Sequence, residues 1–130
     1  MNNFEKTCII DDDAIAIFGL KRAMQALEFS PELIIYENGL DAIEGFQSMI
    51  DTKMSLPSLI LIDINMPVMD GWDFITEMRK IWPKGIEEPT VYMMSSSINP
   101  VDIETAKSFN LENNYLIKPI YAEALQNILV

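Results

Sequence analysis

The chain has 130 residues, 49% hydrophobic and 22% charged, which suits one globular domain with a single good core and does not suit a disordered chain. Nine Lys plus Arg against twenty Asp plus Glu leave a formal charge of −11, a surface that repels phosphate backbones and anionic membranes and favours basic partners and metal cations. Histidine is absent, which excludes Ser–His or Cys–His catalysis, His-ligated zinc and an intrinsic phosphohistidine.

The single Cys8 has no partner for an internal disulfide, in keeping with a reducing cytoplasm. Met1–Glu5 is polar and lacks the basic and apolar regions of a signal peptide. No apolar run approaches the roughly 20 residues of a membrane span. The expectation is a cytoplasmic domain covering 1–130, with no direct contact to nucleic acid or membrane. Met1 lies just ahead of the first strand and nothing follows the last helix, so a stand-alone protein is expected rather than a piece of a longer one.

In chain order, Cys8-Ile9-Ile10 reads as a buried strand that stops at Asp11-Asp12-Asp13. Ile17, Leu20, Ala23, Met24 and Leu27 then recur at helical spacing, with Asp13 as the N-cap. Leu33–Tyr36 is the second strand. Asn38 caps a helix whose apolar face is read as Leu40, Ile43, Phe46, Gln47 and Ile50. Leu59–Ile62 is a third strand, too continuously apolar to have a solvated face. After Asp70-Gly71, Phe74, Ile75, Met78 and Trp82 mark a helix that Pro83 ends. Thr90–Met94 is the fourth strand. Asn99 and Pro100 open the next helix as N-cap and N1, with Asp102 at N3 where the dipole favours an acid. Tyr115–Ile117 is the fifth strand and Tyr121–Leu129 the last helix.

This is βα repeated five times, the pattern of a parallel sheet covered by helices on both faces. Ligands of such folds sit at the carboxyl ends of the strands, so the residues after each strand matter most. Strand one delivers Asp11 and Asp12, strand three Asp63, strand four Ser95, strand five Lys118. Three crowded carboxylates repel unless something positive neutralises them, and a hard divalent cation such as Mg²⁺ does so with a few oxygens and several waters. Beside a metal, Asp63 can act as a nucleophile on phosphorus, while Ser95 and Lys118 are the donors an anionic phosphoryl group would need. Each of these residues has an ordinary structural explanation in a capped helix, a turn or a polar loop; their joint placement on one rim carries the argument. Met66, Met69, Met78, Met93 and Met94 read as core filler, and Trp72 and Trp82 as packing for the third helix.

Four segments carry a resemblance: Ile9–Asp13, Leu61–Gly71, Met93–Ser96 and Tyr115–Pro119. Together they resemble the response-regulator receiver family over essentially the whole chain. The resemblance implies an α/β, doubly wound, flavodoxin-like (CheY-like) sheet with strand order 2-1-3-4-5. It implies Asp63 as phosphoacceptor, Asp11, Asp12 and Asp63 with the Asn65 backbone carbonyl as the Mg²⁺ site, and Lys118 as the site lysine. Ser95 would be the switch hydroxyl, with Ser96 the alternative because the long Trp82–Pro89 stretch blurs the register. Tyr115 would be the rotating aromatic, against a plain reading as a half-buried edge-strand residue, and Lys118–Pro119 a cis bond. Asn65 and Ser97 occupy positions that influence hydrolysis of the acyl phosphate in similar domains.

On that reading the protein is a switch that takes part in its own phosphorylation and dephosphorylation rather than an enzyme. Its phosphodonor is a histidine kinase or His-containing phosphotransfer protein, and it acts on a downstream protein as a monomer or a phosphorylation-dependent dimer. Three rivals compete. A receiver-like scaffold that is not phosphorylated would not need the intact set of five residues. A small Mg²⁺-dependent phosphatase would want an acid where Asn65 stands, and a cap. A flavodoxin-like cofactor binder would not place three aspartates against a phosphate.

Overall fold

A computed structural model describes residues 4–129. Met1, on which the reading of the chain's start rests, lies outside the described residues. The elements are β1 (Lys6–Ile10), α1 (Ala14–Ala26), β2 (Glu32–Tyr36), α2 (Gly39–Asp51), β3 (Leu59–Asp63), α3 (Gly71–Ile81), β4 (Thr90–Ser95), α4 (Pro100–Ser108), β5 (Tyr115–Ile117) and α5 (Ala122–Leu129). All five strands are parallel, in the order β2-β1-β3-β4-β5. The order reverses direction at β1 and β3, which are therefore the strands that open onto a crevice.

Hydrophobic burial explains this placement. Every residue of β1 and β3 is buried, as expected of central strands with helices on both faces. The edge strands β2 and β5 stay partly exposed. Successive side chains point to opposite faces, so each strand feeds two cores. Cys8, Ile10, Ile60 and Ile62 join Phe46, Phe74, Ile75 and Met78 from α2 and α3. Ile9, Leu59 and Leu61 join Leu20 and Met24 of α1 and Leu125 and Ile128 of α5.

Side-chain caps start the helices where the sequence places them. Asp13, Asn38, Asp70 and Asn99 each accept a hydrogen bond from a backbone N–H in the first turn. Pro100 stands at the start of α4, where its missing N–H costs nothing.

Three expectations need correction. In α2 the buried residues are Gly39, Ala42 and Phe46, whereas Leu40 and Gln47 are exposed. Phe46 sets that face by meeting Tyr36, Phe74 and Trp82 edge-to-face, with centroids 5.8–6.1 Å apart. The Tyr36 hydroxyl lies where a Cβ on Gly45 would be, so the phenol packs across the bare helix backbone. The fourth strand runs one residue further, to Ser95, and the last helix begins at Ala122. No helix among the described residues is long and apolar enough to cross a membrane.

Candidate functional site

The strand ladder continues past the strand ends and gathers the rim. The Asp11 N–H donates to the Tyr36 carbonyl at 3.1 Å, Ile64 N–H to Met94 at 2.9 Å and Lys118 N–H to Ser95 at 2.7 Å. Neighbouring strands β1 and β3 thereby place Asp11, Asp12 and Asp63 together, with carboxylate oxygens all within 4.8 Å of one another. Lys118 reaches in from beyond β5: its Nζ lies 2.7 Å from Asp11 Oδ2 and 3.4 Å from Asp63 Oδ1.

Asp11 is buried, Asp63 is 6% exposed and Asp12 faces solvent. Burial pushes the Asp63 carboxyl above its ordinary range, and the Asp11 charge adds to this, while Lys118 and the Asn65 backbone N–H oppose it. Burial pulls the Lys118 ammonium down, but the proximity and charge of Asp11, then of Asp63, outweigh it and hold Lys118 above the usual lysine value.

Asp11 uses Oδ1 to accept from the Asp13 N–H at 3.0 Å. Its Oδ2 is buried and makes no aligned hydrogen bond; the Lys118 ammonium beside it is an ion-pair partner only. A buried carboxylate oxygen whose one close partner is the Lys118 ammonium, with two more carboxylates alongside, one open to water, is a donor set that fits a hard divalent cation. Asn65 is exposed two residues beyond Asp63.

Ser95 and Ser96 separate cleanly. Ser95 ends β4, is fully buried, pairs with Ile117 and donates its hydroxyl to the Ser97 carbonyl at 2.9 Å. Ser96 is exposed. The Tyr115 hydroxyl donates to the same Ser97 carbonyl at 3.3 Å, so Ser95 and Tyr115 share one acceptor on the loop ahead of α4. The Lys118–Pro119 bond is cis.

Two supports of the site follow β3. Gly71 opens α3 hard against the end of β3: a Cβ there would lie 2.8 Å from the Asp63 carbonyl oxygen and 2.9 Å from Ile64 Cα. Its N–H donates to the Ile64 carbonyl at 2.8 Å. Val68, in the loop between, adopts φ +71° with its side chain 93% exposed, and the Met69 N–H closes a γ-turn onto the Pro67 carbonyl at 2.8 Å. The left-handed region costs a β-branched residue ~1–2 kcal/mol, less the ~0.4–1 kcal/mol by which glycine loosens the unfolded chain. Val68→Gly is therefore expected to raise denaturant stability by about 0.5–1 kcal/mol; an unchanged or lowered midpoint would contradict the strain.

Beside the rim, α1 and the β5–α5 loop enclose an apolar cleft lined by Ile15, Phe18, Arg22, Pro119 and Tyr121, with Lys118 at its edge. Ile15 and Phe18 lie off the Ile17, Leu20 and Met24 stripe, and that offset was the available signal for a second, outward apolar face.

An open α/β sheet with its polar cluster at the carboxyl ends of the strands flanking the switch point is a CheY-like, flavodoxin-type arrangement. The family model of the response regulator receiver domain matches residues 7–130, and the chain belongs to that family. It is a receiver domain of two-component signalling, a family of signalling switches. A crystal structure of a two-component response regulator from Cytophaga hutchinsonii matches with a TM-score of 0.85 at 28% identity, covering 98% of this chain and 96% of that one.

Among sequence relatives, the probable methanogenesis regulatory protein FilR2 of Methanothrix harundinacea is 25% identical over 91% of this chain and 74% of its own length. The transcriptional regulatory protein PrrA of Mycobacterium leprae is 25% identical over 95% of this chain and 48% of its own, so this chain spans about half of PrrA. A relative so named lends no support to the expectation that nucleic acid is absent among the partners.

Proposed function

We propose that Asp63 is the phosphoacceptor of an Mg²⁺-dependent switch. The observation that supports this best is one carboxylate flanked by two others and by a half-buried ammonium 3.4 Å away, on the rim of a receiver fold. An Asp63 oxygen forms a new O–P bond as the P–N bond of a partner's phosphohistidine breaks; the imidazole keeps the electron pair and takes up a proton. With no histidine of its own, the chain needs an external donor, a histidine kinase or His-containing phosphotransfer protein. The apolar cleft beside Lys118 is the face proposed to receive it.

Asp11, Asp12 and Asp63, with the Asn65 carbonyl, would hold Mg²⁺, which when bound screens the transferring phosphoryl oxygens. Lys118 orients and neutralises those oxygens, and Ser95 donates its hydroxyl to them once it leaves Ser97. Tyr115 shares that Ser97 acceptor, so displacement of the loop frees both side chains together. The phosphoryl group needs to bias an existing equilibrium by roughly 1–3 kcal/mol, a typical coupling free energy. The output is read by a downstream protein, and the unit that carries the switch is the single domain 1–130.

Intact-protein mass after incubation with acetyl phosphate and Mg²⁺ tests the reading. Wild type is expected to gain one phosphoryl group, and Asp63→Asn or wild type with EDTA none. Equal labelling of Asp63→Asn would move the acceptor elsewhere, and labelling undiminished by EDTA would remove the metal from the proposal.

A further inference from the structure

Helix α4 is held to the fold by little apolar burial. Of its nine residues Ala106 alone is buried, and Val101 is 71% exposed. Two side chains of α3 grip it, Trp72 at both ends and Arg79 at one. Trp72 is itself buried, donates its indole Nε1–H to Asp102 Oδ1 in the first turn of α4 at 3.2 Å, and stacks on Phe109 at the other end, with centroids 5.3 Å apart and planes 26° apart. Arg79, two turns along α3, covers Phe109 at 5.6 Å and donates to its carbonyl at 3.0 Å. Trp72 also follows Gly71, the residue packed on the Asp63 backbone.

We infer that Trp72 is a latch: its bond to Asp102 and its stack on Phe109 fix α4 on α3, and release of that bond frees α4 while the rest of the sheet stays intact. A helix with so little buried apolar surface is the element whose position one buried hydrogen bond can decide. Because Trp72 adjoins the support of Asp63, and Ser95 leads through the Ser97 loop into the α4 cap at Asn99, the latch lies between the site and that helix. This last link rests on the proposed role of Asp63; the latch itself does not.

Hydrogen exchange on the whole chain tests the latch. Trp72→Phe keeps the stack but removes the N–H, and Asp102→Ala removes the acceptor. Each is expected to speed exchange of the 101–108 amides about fivefold, the equivalent of ~1 kcal/mol, with β1 and β3 unchanged. The double variant should exchange no faster than Asp102→Ala alone, because that substitution already removes the shared bond. Unchanged α4 protection in both single variants, or two effects that simply add, would overturn the latch.

The link to the site is read in a Trp82→Phe background, where Trp72 is the sole indole. Beryllofluoride with Mg²⁺ serves as phosphoryl mimic, and its bound ¹⁹F signal is recorded in parallel. A bound signal with a red-shifted Trp72 emission supports the link; a bound signal with unmoved emission overturns it and leaves the acceptor intact. Absence of any bound signal counts against the acceptor and overturns the link with it, and the exchange data still decide the latch.

Discussion

Lys118→Met is expected to destabilise the metal-free protein by about 3 kcal/mol, because it strips the cation from two carboxylates that cannot leave the site. Asp11 is fully buried and Asp63 nearly so, while the Lys118 side chain is 16% exposed, so solvent screens little of the loss. Urea denaturation in EDTA measures it. Millimolar Mg²⁺ should recover part of the deficit by restoring a positive charge, and Asp11→Asn in the same chain should recover part by removing a negative one.

The deficit has a pH signature whose sign follows from the two shifts. Lys118 has a raised value in the folded state, so its contribution is fully present below the ordinary lysine value of 10.5 and disappears as pH rises through the higher folded value. Asp63 is also raised, so the folded state holds its proton more tightly than the unfolded chain does, and lowering the pH through that range relieves its repulsion with Asp11. The gap between wild type and Lys118→Met should be widest near neutrality and narrow at both ends. A gap that grows on acidification would contradict the carboxylate repulsion assigned here.

Gly71→Ala is the second large effect. Its Cβ would meet the Asp63 carbonyl and the Ile64 backbone inside 3.0 Å, and neither can swing aside as a side-chain tip can. Overpacking of this kind costs ~1–3 kcal/mol, and here it also displaces the backbone that aims Asp63, the proposed acceptor. The variant is expected to unfold at lower denaturant and to take up phosphoryl from acetyl phosphate more than tenfold slower than wild type. Gly19→Ala, with nothing within 4 Å of the added Cβ, is the matched control and should not lose stability. Equal behaviour of the two variants would show that α3 can back away from the strand end freely.

The strands and the rim were legible because they rest on one-dimensional signals. Uninterrupted runs such as Leu59–Ile62 announce a strand buried on both faces, and the residue after each run falls at the carboxyl edge in any parallel βα array. Caps at Asp13, Asn38 and Asn99 were legible for the same reason, since capping is local. What failed was anything decided by a neighbour distant in the chain. The face read from the sequence, Leu40, Ile43, Phe46, Gln47 and Ile50, shares Phe46 and the partly buried Ile43 with the observed one, and only the aromatic residues around Phe46 turn Ala42 inward and leave Leu40 and Gln47 outside. Gly71 looks like a turn until Asp63 is seen against it. Asp102 reads as a dipole-favoured acid and Trp72 as core; their hydrogen bond spans thirty residues of sequence and belongs to neither pattern. That Ser95 rather than Ser96 ends β4 follows from pairing with Ile117, again a partner from another strand.

The place of Lys118 after a three-residue edge strand bears on how the domain is made. Asp11 directly follows β1 and Asp63 ends β3, and these strands pair directly, so the two acids meet as soon as the middle of the sheet forms. Their counter-charge comes from beyond β5 and emerges from the ribosome after all five strands. A nascent chain that has closed β1 onto β3 thus carries an uncompensated pair of charges until its tail arrives, and solvent cations are the only placeholder in the interval. Refolding in low-salt EDTA should be the condition that exposes this delay, and Mg²⁺ the additive that shortens it.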